Sequence, residues 1–550
     1  MDFDFSYVDI AFKNGNVITV NDKDELAQAV GIKGNKIVFV GTNEDLDKIV
    51  DNNTRVIDLK GRAITPGFID CHFHPILYGF MNGAIIDITY PKCKSIVEIK
   101  EVIKKAVAQT EDGGWIKLWG YDQNKLEEKR HVTLYDLDEV APQNPVQCMR
   151  ACGHIGVYNT LGLAAGGINS PEDAKKFGKD EVVIENGKLN GMTKDSTNFF
   201  LWSKVQYTEE EMWTALRRSN QLLLESGVTS IHDPGECDAP AYSIMYKASK
   251  DGSFKPRQFM MLHSIFGKPF SIEDNKRFIE NGFHTGLGDE KFRIGSSKFM
   301  IDGGTSGPSC ATRQPYSHDS TLTGIIAWER EETAKYIEYI NDHDCQATAH
   351  AVGDLAVEYM VEGYEKALKK HPRKPQEHRH RIEHCAITDE DLVNRMAKMG
   401  IIPVSNTHFM TINGSDYCKY YGDRIEHFFA MRSYLDAGIR PVIGCDAPTA
   451  TQEVTRGLDG AVNRIDRRTG EVCGASQKIS MLEAIRCYTL NGAYASFEDD
   501  IKGSIEVGKL ADLVVFNEDI LEIDPINIIE SKIDYTMIDG EICYEREPQA

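Results

Sequence analysis

The architecture of this chain can be predicted from one segment, Thr65-Pro66-Gly67-Phe68-Ile69-Asp70-Cys71-His72-Phe73-His74. Pro and Gly precede a short apolar run, which is typical of a buried strand. Side chains alternate faces along a strand, so His72 and His74 point the same way, roughly 6–7 Å apart along the backbone. Two imidazoles on one face at the end of a strand can bind a single divalent ion. The segment therefore predicts a metal site at the end of a buried strand.

The charge balance narrows the class of partner. The 550 residues include 62 basic and 84 acidic side chains, for a net charge of −22. Such a field repels nucleic acids and anionic membrane surfaces, so we expect neither as a partner and expect a small-molecule substrate instead. No apolar run has membrane-spanning length, and the first residues lack the features of a signal peptide. The 13 scattered Cys, with no C-x-x-C pair, favour reduced thiols in a cytoplasmic protein. A homodimer is expected from base rates alone.

The two ends of the chain share a β-rich texture. Residues 8–60 alternate short β-rich runs with turn residues, and Asp24–Gln28 and Asn43–Val50 are predicted as short helices. Residues 511–544 repeat this texture, with a hairpin predicted at Asp539-Gly540. Neither end alone offers a sizeable core, so we predict one small β-sandwich-like domain made of residues 1–62 and 501–550.

Between the ends, residues 63–500 alternate strand-like runs with amphipathic helical patterns, among them Arg424–Ala437, which Gly438 closes. This alternation predicts an α/β fold, a (β/α)8 TIM-like barrel. The eight strand-like runs are Gly67–His74, Gly227–Asp233, Pro256–His263, Ile294–Met300, Gln346–His350, Arg379–His384, Ile401–His408 and Arg440–Asp446.

The connection between the first two barrel strands is unusually long. It spans about 150 residues, far more than a loop and a helix require. This insertion, at about residues 80–220, contains a predicted helix at Ser95–Thr110 and an aromatic stretch that includes Trp119 and Tyr121. Because it leaves the C-terminal end of a barrel strand, we expect it to form a lid over the barrel mouth and to select substrates.

Polar side chains occur at the ends of five of the eight strands. Active sites of such barrels lie at the C-terminal ends of the strands. A lone buried histidine is more often a hydrogen-bonded core residue, but the whole set in this order favours metal ligation. Cys71, Cys385 and Cys445 are next to His72, His384 and Asp446 in sequence. They should therefore face the opposite side of their strands as packing residues. The last inward residues of the strands are His72, His74, Lys298, His350, His384 and Asp446.

The order and spacing of these segments resemble the amidohydrolase superfamily, and more closely its YtcJ-like branch (amidohydrolase family 3), which includes N-substituted formamide deformylases. The resemblance covers nearly the whole chain. Arg150-Ala151-Cys152-Gly153-His154 resembles an element specific to that branch. The other matching segments are P-G-F-I-D-C-H-F-H (66–74), K-F-M-I-D-G-G (298–304), H-A-V-G-D (350–354), R-H-R-I-E-H (379–384), G-C-D-A-P (444–448) and G-S-I-E-V-G-K-L-A-D-L-V-V (503–515).

The resemblance implies a set of metal ligands. His72, His74 and Asp446 would hold one divalent ion, and His350 and His384 would hold a second, with Lys298 bridging the two as a carbamate. A free ammonium group cannot bind a cation, so Lys298 is either carboxylated or only shapes the site, in which case a single ion is the competing layout. Zn²⁺ is the expected ion from the ligand types, with Mn²⁺, Fe²⁺ and Ni²⁺ as alternatives.

The same resemblance implies hydrolysis of a non-peptide C–N bond in an amide, an N-formyl compound or a cyclic amide. A bound metal would lower the pKa of water toward about 7, and Asp446 would move the proton to the leaving nitrogen. A deaminase is an alternative, although His350-Ala-Val-Gly-Asp354 lacks the glutamate that superfamily deaminases carry. A decarboxylase, an isomerase and an inactive regulatory protein are further alternatives on the same barrel.

Five residues are candidates for substrate contact: His154 and Arg150 from the resemblance, Trp119 and Tyr121 as an apolar wall or as core, and His408 at the end of strand seven. Four others sit near the predicted ligands in sequence. His380 is predicted to fill the barrel or to support a ligand and His378 to be solvated, while His232 and Asp233 end strand two.

Overall fold

Eight parallel strands form the central sheet of the computed structural model, which describes residues 7–151, 155–178, 181–235, 239–262 and 272–547. The strands follow one another around the sheet in chain order. We number them barrel strands one to eight: Phe68–Asp70, Val228–Asp233, Arg257–Leu262, Phe292–Met300, Ala347–Ala351, Arg381–His384, Ile402–Ser405 and Val442–Ile443.

Backbone hydrogen bonds join the first strand to the last. The amide of Cys71 donates to the carbonyl of Ile443 at 3.0 Å, and the amide of Asp446 donates to the carbonyl of His72 at 2.8 Å. Gly444 permits this approach, because a Cβ atom there would lie 2.7 Å from the His72 Cβ atom. The sheet is therefore closed at the point where the predicted metal ligands lie, and the predicted (β/α)8 TIM-like barrel is confirmed.

Helices surround the barrel and bury one apolar face each against it. Helix Arg330–Asp342, for example, packs beside Asp354–Lys370, and Ile337 and Val357 are fully buried between them and the sheet. The other helices of this layer are Glu209–Glu225, Ala239–Asp251, Ile272–Glu280, Glu390–Met399, His408–Tyr421, Met431–Asp436, Val454–Val462, Met481–Cys487 and Leu490–Ala495.

Several predicted boundaries are wrong. The segment Asp24–Gln28 contains a short strand, Leu26–Ala27, that pairs with Asn16–Ile18 and is not a helix. The predicted helix Arg424–Ala437 is broken into a 3-10 turn (Gly422–His427) and a short helix (Met431–Asp436), because Phe429 between them has a φ of 44°. Strands seven and eight are shorter than predicted, and the predicted end of strand three at His263 lies outside the described residues.

Both ends of the chain contribute strands to a small domain with two sheets. Strand Leu513–Phe516 pairs with Ala63–Pro66, and Gly67 then leads directly into barrel strand one. The predicted hairpin at Asp539-Gly540 is confirmed, since both residues have positive φ. One sheet orders strands Lys36–Gly41, Ala29–Lys33, Ile10–Lys13 and Arg55–Asp58, and the other orders Glu541–Glu545, Ile533–Ile538, Leu513–Phe516, Ala63–Pro66, Asn16–Ile18 and Leu26–Ala27.

The insertion contains a mixed six-stranded sheet that the sequence did not predict. The predicted helix is confirmed at Ile96–Val107, where Ser95 caps its N-terminus. Within the described residues, no helix has both the length and the apolar character needed to cross a bilayer. The strands of the insertion are Ile86–Asp87, Ile116–Tyr121, Val146–Arg150, Ile155–Tyr158, Val182–Glu185 and Lys188–Lys194, and its other helices are Leu134–Asp138, Thr160–Ala165 and Asp195–Trp202.

Candidate metal centre

His72 and His74 follow the end of barrel strand one. Pro75 occupies the first position of the next helix, so the chain turns away from the barrel directly after His74. The buried carboxylate of Asp70 accepts hydrogen bonds from the amides of His72 and Cys445, both at 3.1 Å, and so links the ends of strands one and eight. This bracing fixes the backbone that carries both imidazoles.

Asp446, after strand eight, lies beside these two imidazoles. Its Oδ1 atom is 3.3 Å from Nε2 of His72 and 3.6 Å from Nε2 of His74. Asp446 has a φ of 56°, a left-handed conformation that turns its side chain away from the regular strand direction. Burial would raise the pKa of this carboxyl, but hydrogen bonds with His72 and His74 hold it well below the usual range. The group is therefore an anion facing two imidazole nitrogens.

Glu383 holds the other side of the His72 ring. Its Oε2 atom is 2.6 Å from Nδ1 of His72, and its Oε1 atom accepts from the Thr348 hydroxyl at 2.7 Å. Arg381 donates to both carboxylate oxygens, at 2.7 and 3.1 Å. All of these groups are buried. The carboxylate thus orients the ring so that Nε2 points toward Asp446.

His350 and His384 form the second half of the cluster. The ring centroid of His384 lies 4.4 Å from that of His350 and 4.7 Å from that of His72. Asn406 engages Nδ1 of His384 at 2.7 Å, and none of the described residues hydrogen-bonds to Nε2. The Gly303 carbonyl lies 3.2 Å from Nε2 of His350, and Nδ1 has no hydrogen-bond partner in the described part of the chain. Each ring therefore keeps one nitrogen for a ligand.

Lys298 is buried inside the barrel on strand four. Burial lowers the pKa of its amine to about 8, although the carboxylates of Glu383, Asp446 and Asp233 oppose the shift. Burial also lowers the pKa of His350 to about 4, with Lys298 adding to the effect, and lowers that of His74 to about 4 against the influence of Asp446. Neutral imidazole is the form that binds metal, and the lowered amine pKa increases the neutral fraction of Lys298.

The residues fit a divalent ion. One ligand atom each from His72, His74 and Asp446 lies within 4.8 Å of the other two. Two imidazole nitrogens and a carboxylate oxygen are a donor set that Zn²⁺ and related ions accept. The cluster therefore defines a candidate metal centre at the C-terminal rim of a closed barrel.

Comparison with known proteins shows the family to which this chain belongs. The amidohydrolase family pattern matches residues 55–544, and the chain belongs to that family. An N-substituted formamide deformylase of Arthrobacter pascens is 27% identical over 98% of this chain and 98% of its own length. The protein YtcJ of Bacillus subtilis (strain 168) is also 27% identical, over 97% and 98%. The predicted resemblance is confirmed.

A solved structure shares the fold. An uncharacterized metal-dependent hydrolase from Pyrococcus horikoshii OT3 superposes with a TM-score of 0.77 at 21% identity, covering 94% of this chain and 99% of its own. At this identity the comparison supports the barrel architecture and not a particular reaction.

The candidate substrate residues lie in several environments. Tyr121 is fully buried in the insertion, and its hydroxyl lies 3.0 Å from Nδ1 of His131. Trp119 packs against Trp202. Arg150 is half-buried and donates to Gln123 at 2.8 Å. His154 lies outside the described residues.

His408 does not end strand seven as predicted, because the strand stops at Ser405 and a helix begins at His408. Its ring is fully buried, with Nε2 3.2 Å from the Glu453 carbonyl and 3.4 Å from the Tyr488 hydroxyl. The turn after Ser405 thus packs the imidazole among neighbouring helices.

Two other predictions for histidines are wrong. His380 lies on the outer face of the sheet, stacked on Tyr364 of the surrounding helix with ring centroids 5.0 Å apart. His378 is buried, with Nε2 3.2 Å from the Met399 carbonyl. His232 is buried in the barrel, where Arg381 contacts its Nδ1 atom at 2.9 Å.

Sequence reasoning missed three residues that support the cluster: Arg381, Glu383 and Asn406. Arg381 and Glu383 are two residues apart on one strand and therefore share a face. Charged residues spaced this way in a buried strand must be paired, which is a pattern visible in the sequence. Asn406 follows strand seven and carried no comparable pattern.

Proposed function

We propose that this protein is a metal-dependent hydrolase that cleaves a non-peptide C–N bond of a small amide, an N-formyl compound or a cyclic amide. The observation that carries the proposal is the convergence of His72, His74 and Asp446 from opposite ends of the barrel sheet, with their ligand atoms within 4.8 Å. The similarity to an N-substituted formamide deformylase over almost the whole length of both chains supports an N-formyl substrate.

The residues of the candidate metal centre have distinct roles in the proposed reaction. When bound, a divalent ion supplies Lewis acidity, which lowers the pKa of water toward about 7 and polarises a carbonyl group. His72 and His74 present their Nε2 atoms toward Asp446, and Glu383 fixes the orientation of His72. In the proposed reaction the water oxygen bonds to the carbonyl carbon, the C–N bond breaks, and Asp446 carries the water proton to the departing nitrogen.

We further propose that Lys298 is carboxylated to a carbamate, in which case the site would hold two ions and not one. A neutral amine adds CO₂ and releases a proton, so the lowered amine pKa favours the modification. The carbamate would present two oxygens between the Asp446 side and the His350–His384 side of the cluster. The rival arrangement keeps the amine and holds one ion.

The test is a substrate panel with purified protein of known metal content. N-substituted formamides should release formate and the matching amine in equal amounts, and removal of metal by a chelator should abolish the release. Cyclic amides and simple N-acyl amides complete the panel. Release of ammonia from a heterocycle would favour a deaminase instead, and metal-free protein with no turnover on any compound would overturn the proposal.

A further inference from the structure

A second group of metal-type ligands lies away from the candidate metal centre. Residues 464–473 form a turn closed by an antiparallel bridge between Ile465 and Val472, and the turn packs on helix His408–Tyr421. The Asp466 carboxylate accepts from the Ser415 amide at 3.1 Å. Gly414 leaves room for the contact, because a Cβ atom there would lie 3.0 Å from Sγ of Cys473.

Three possible ligands meet where the turn touches the helix. The Sγ atoms of Cys418 and Cys473 and a carboxylate oxygen of Glu471 all lie within 4.8 Å of one another. Both cysteines are free thiols; Cys473 is fully buried, Cys418 is half-buried and Glu471 is exposed. Within the described part of the chain, Glu471 forms no ion pair with a basic side chain. The three groups therefore lie close to one another without a salt-bridge partner for the carboxylate among the described residues.

The spacing suits a tetrahedral ion. Bonds of about 2.3 Å to sulfur and about 2.0–2.2 Å to oxygen place tetrahedral ligands about 3.5–3.8 Å apart. Because the three atoms lie within 4.8 Å of one another, a closure of at most about 1 Å brings them to this separation. The exposed Glu471 side chain can supply part of that movement. Two thiolates and a carboxylate match a thiophilic or borderline cation and not Mg²⁺ or Ca²⁺.

Arg464 is a protein cation that acts electrostatically on the thiols, and it already has hydrogen-bond partners. The buried Arg464 guanidinium donates to the Cys473 carbonyl at 2.9 Å and to the Phe428 carbonyl at 2.8 Å. Burial raises the pKa of the Cys418 thiol, and the Glu471 carboxylate adds to the rise. A bound dication would offset the mutual repulsion of three deprotonated ligands, which a proton on each thiol otherwise avoids.

We propose that Cys418, Glu471 and Cys473 form a second metal site, for a thiophilic divalent cation of the Zn²⁺ class. Both thiols release their protons to solvent when the ion binds, and the fourth position is open on the exposed Glu471 side. The ion ties the 464–473 turn to the helix that follows barrel strand seven. The site has a structural role and supplies no group to the proposed hydrolysis.

Cobalt substitution tests this site separately from the candidate metal centre. Thiolate ligands give bound Co²⁺ a charge-transfer absorption in the near ultraviolet, whereas the histidines and Asp446 of the candidate metal centre offer no sulfur. Metal-free protein titrated with Co²⁺ should show this absorption, and Zn²⁺ should abolish it. The double variant C418S/C473S should lose the absorption and one equivalent of metal, while C543S, which removes a half-buried thiol elsewhere, should keep both.

A milder variant guards against loss of folding in the double variant. E471Q keeps both cysteines and changes only an exposed side chain, and it should weaken Co²⁺ binding at the thiolate site by about tenfold or more. The proposal is overturned if the unaltered protein shows no thiolate absorption with Co²⁺, if E471Q binds as tightly as the unaltered protein, or if Cys418 and Cys473 are joined as a disulfide in the protein as isolated.

Discussion

Glu383 lies with its Oε2 atom 2.6 Å from Nδ1 of His72, and neither side chain has meaningful contact with solvent. The contact assigns a proton to Nδ1, because an ionised carboxylate only accepts, and it turns Nε2 toward Asp446. Barrel strand six therefore controls the orientation of a candidate ligand on strand one. The pair is the most direct link between the packing of this barrel and its chemistry.

Replacing Glu383 should weaken metal binding without removing a ligand. We expect E383Q to lower the affinity of the candidate metal centre by about 10- to 100-fold, since the amide holds His72 less firmly. It should also lower the free energy of unfolding by about 3–5 kcal/mol, because Arg381 loses the carboxylate that neutralises it. Competition with a chelator measures the first effect and urea unfolding the second. E390Q, at an exposed helix position, is the control, and unchanged affinity in E383Q would refute the role.

Asp446 should be needed for turnover more than for metal. D446N should reduce kcat by about 10²- to 10⁴-fold, because an amide cannot carry the proton from water to the leaving nitrogen. We expect the variant to retain bound metal through His72 and His74, as measured by elemental analysis. D436N, on an exposed helix position, should leave both quantities unchanged. Activity of D446N close to that of the unaltered protein would exclude Asp446 as the proton carrier.

The state of Lys298 can be determined by counting metal. If the lysine is carboxylated, K298A should lower the number of ions at the candidate metal centre from two to one, counted in the C418S/C473S background so that the thiolate site adds none. K298E, which supplies a carboxylate directly, should retain part of the second ion. K125A, on an exposed lysine of the insertion, serves as the control. Two ions at the candidate metal centre of K298A, or one ion there when Lys298 is intact, both counted in that background, would show that Lys298 does not bridge.

His408 should make the fold sensitive to acid. Burial lowers its pKa in the folded protein to about 3, with Arg456 adding to the effect, whereas an unfolded histidine titrates near 6.5. Between these values the unfolded chain binds more protons, so the free energy of unfolding falls as the pH drops below about 6.5. At about pH 5 this single group accounts for about 2 kcal/mol.

The variant H408Q tests that dependence. It should reduce the difference in unfolding free energy between about pH 7.5 and about pH 5 by an amount of that order, measured by urea unfolding at each pH. H318Q, at an exposed position, is the matched control. An identical pH dependence in H408Q and the unaltered protein would mean that the imidazole is not held neutral by burial.

The barrel and most of the candidate ligand positions could be predicted from the sequence because two periodicities are visible in it. The alternation of strand and helix patterns gave the barrel, and the two-residue repeat placed His72, His74 and His350 on inward faces. The family resemblance added the grouping of ligands. The hairpin near the C-terminus was predictable for a different, local reason: the Asp539-Gly540 pair itself specifies the turn.

The rest depends on backbone turns that no repeat predicts. His384 has a φ of 67° and Asp446 one of 56°, so both side chains depart from strand alternation. The sequence analysis took His384 as the inward residue of strand six, so alternation placed Glu383 on the outer face and its role was missed. The sheet of the insertion was also missed, because several of its short strands, such as Ile116–Tyr121 and Val146–Arg150, pair across long gaps in sequence.

The central claim is that residues from strands one and eight meet around a bound cation at the barrel rim. Anomalous diffraction from crystals of Zn²⁺-loaded protein, collected on both sides of the zinc edge, tests it most directly. We predict an anomalous peak about 2.0–2.3 Å from Nε2 of His72, Nε2 of His74 and a carboxylate oxygen of Asp446. A fully loaded crystal with no peak among these three side chains would contradict the account.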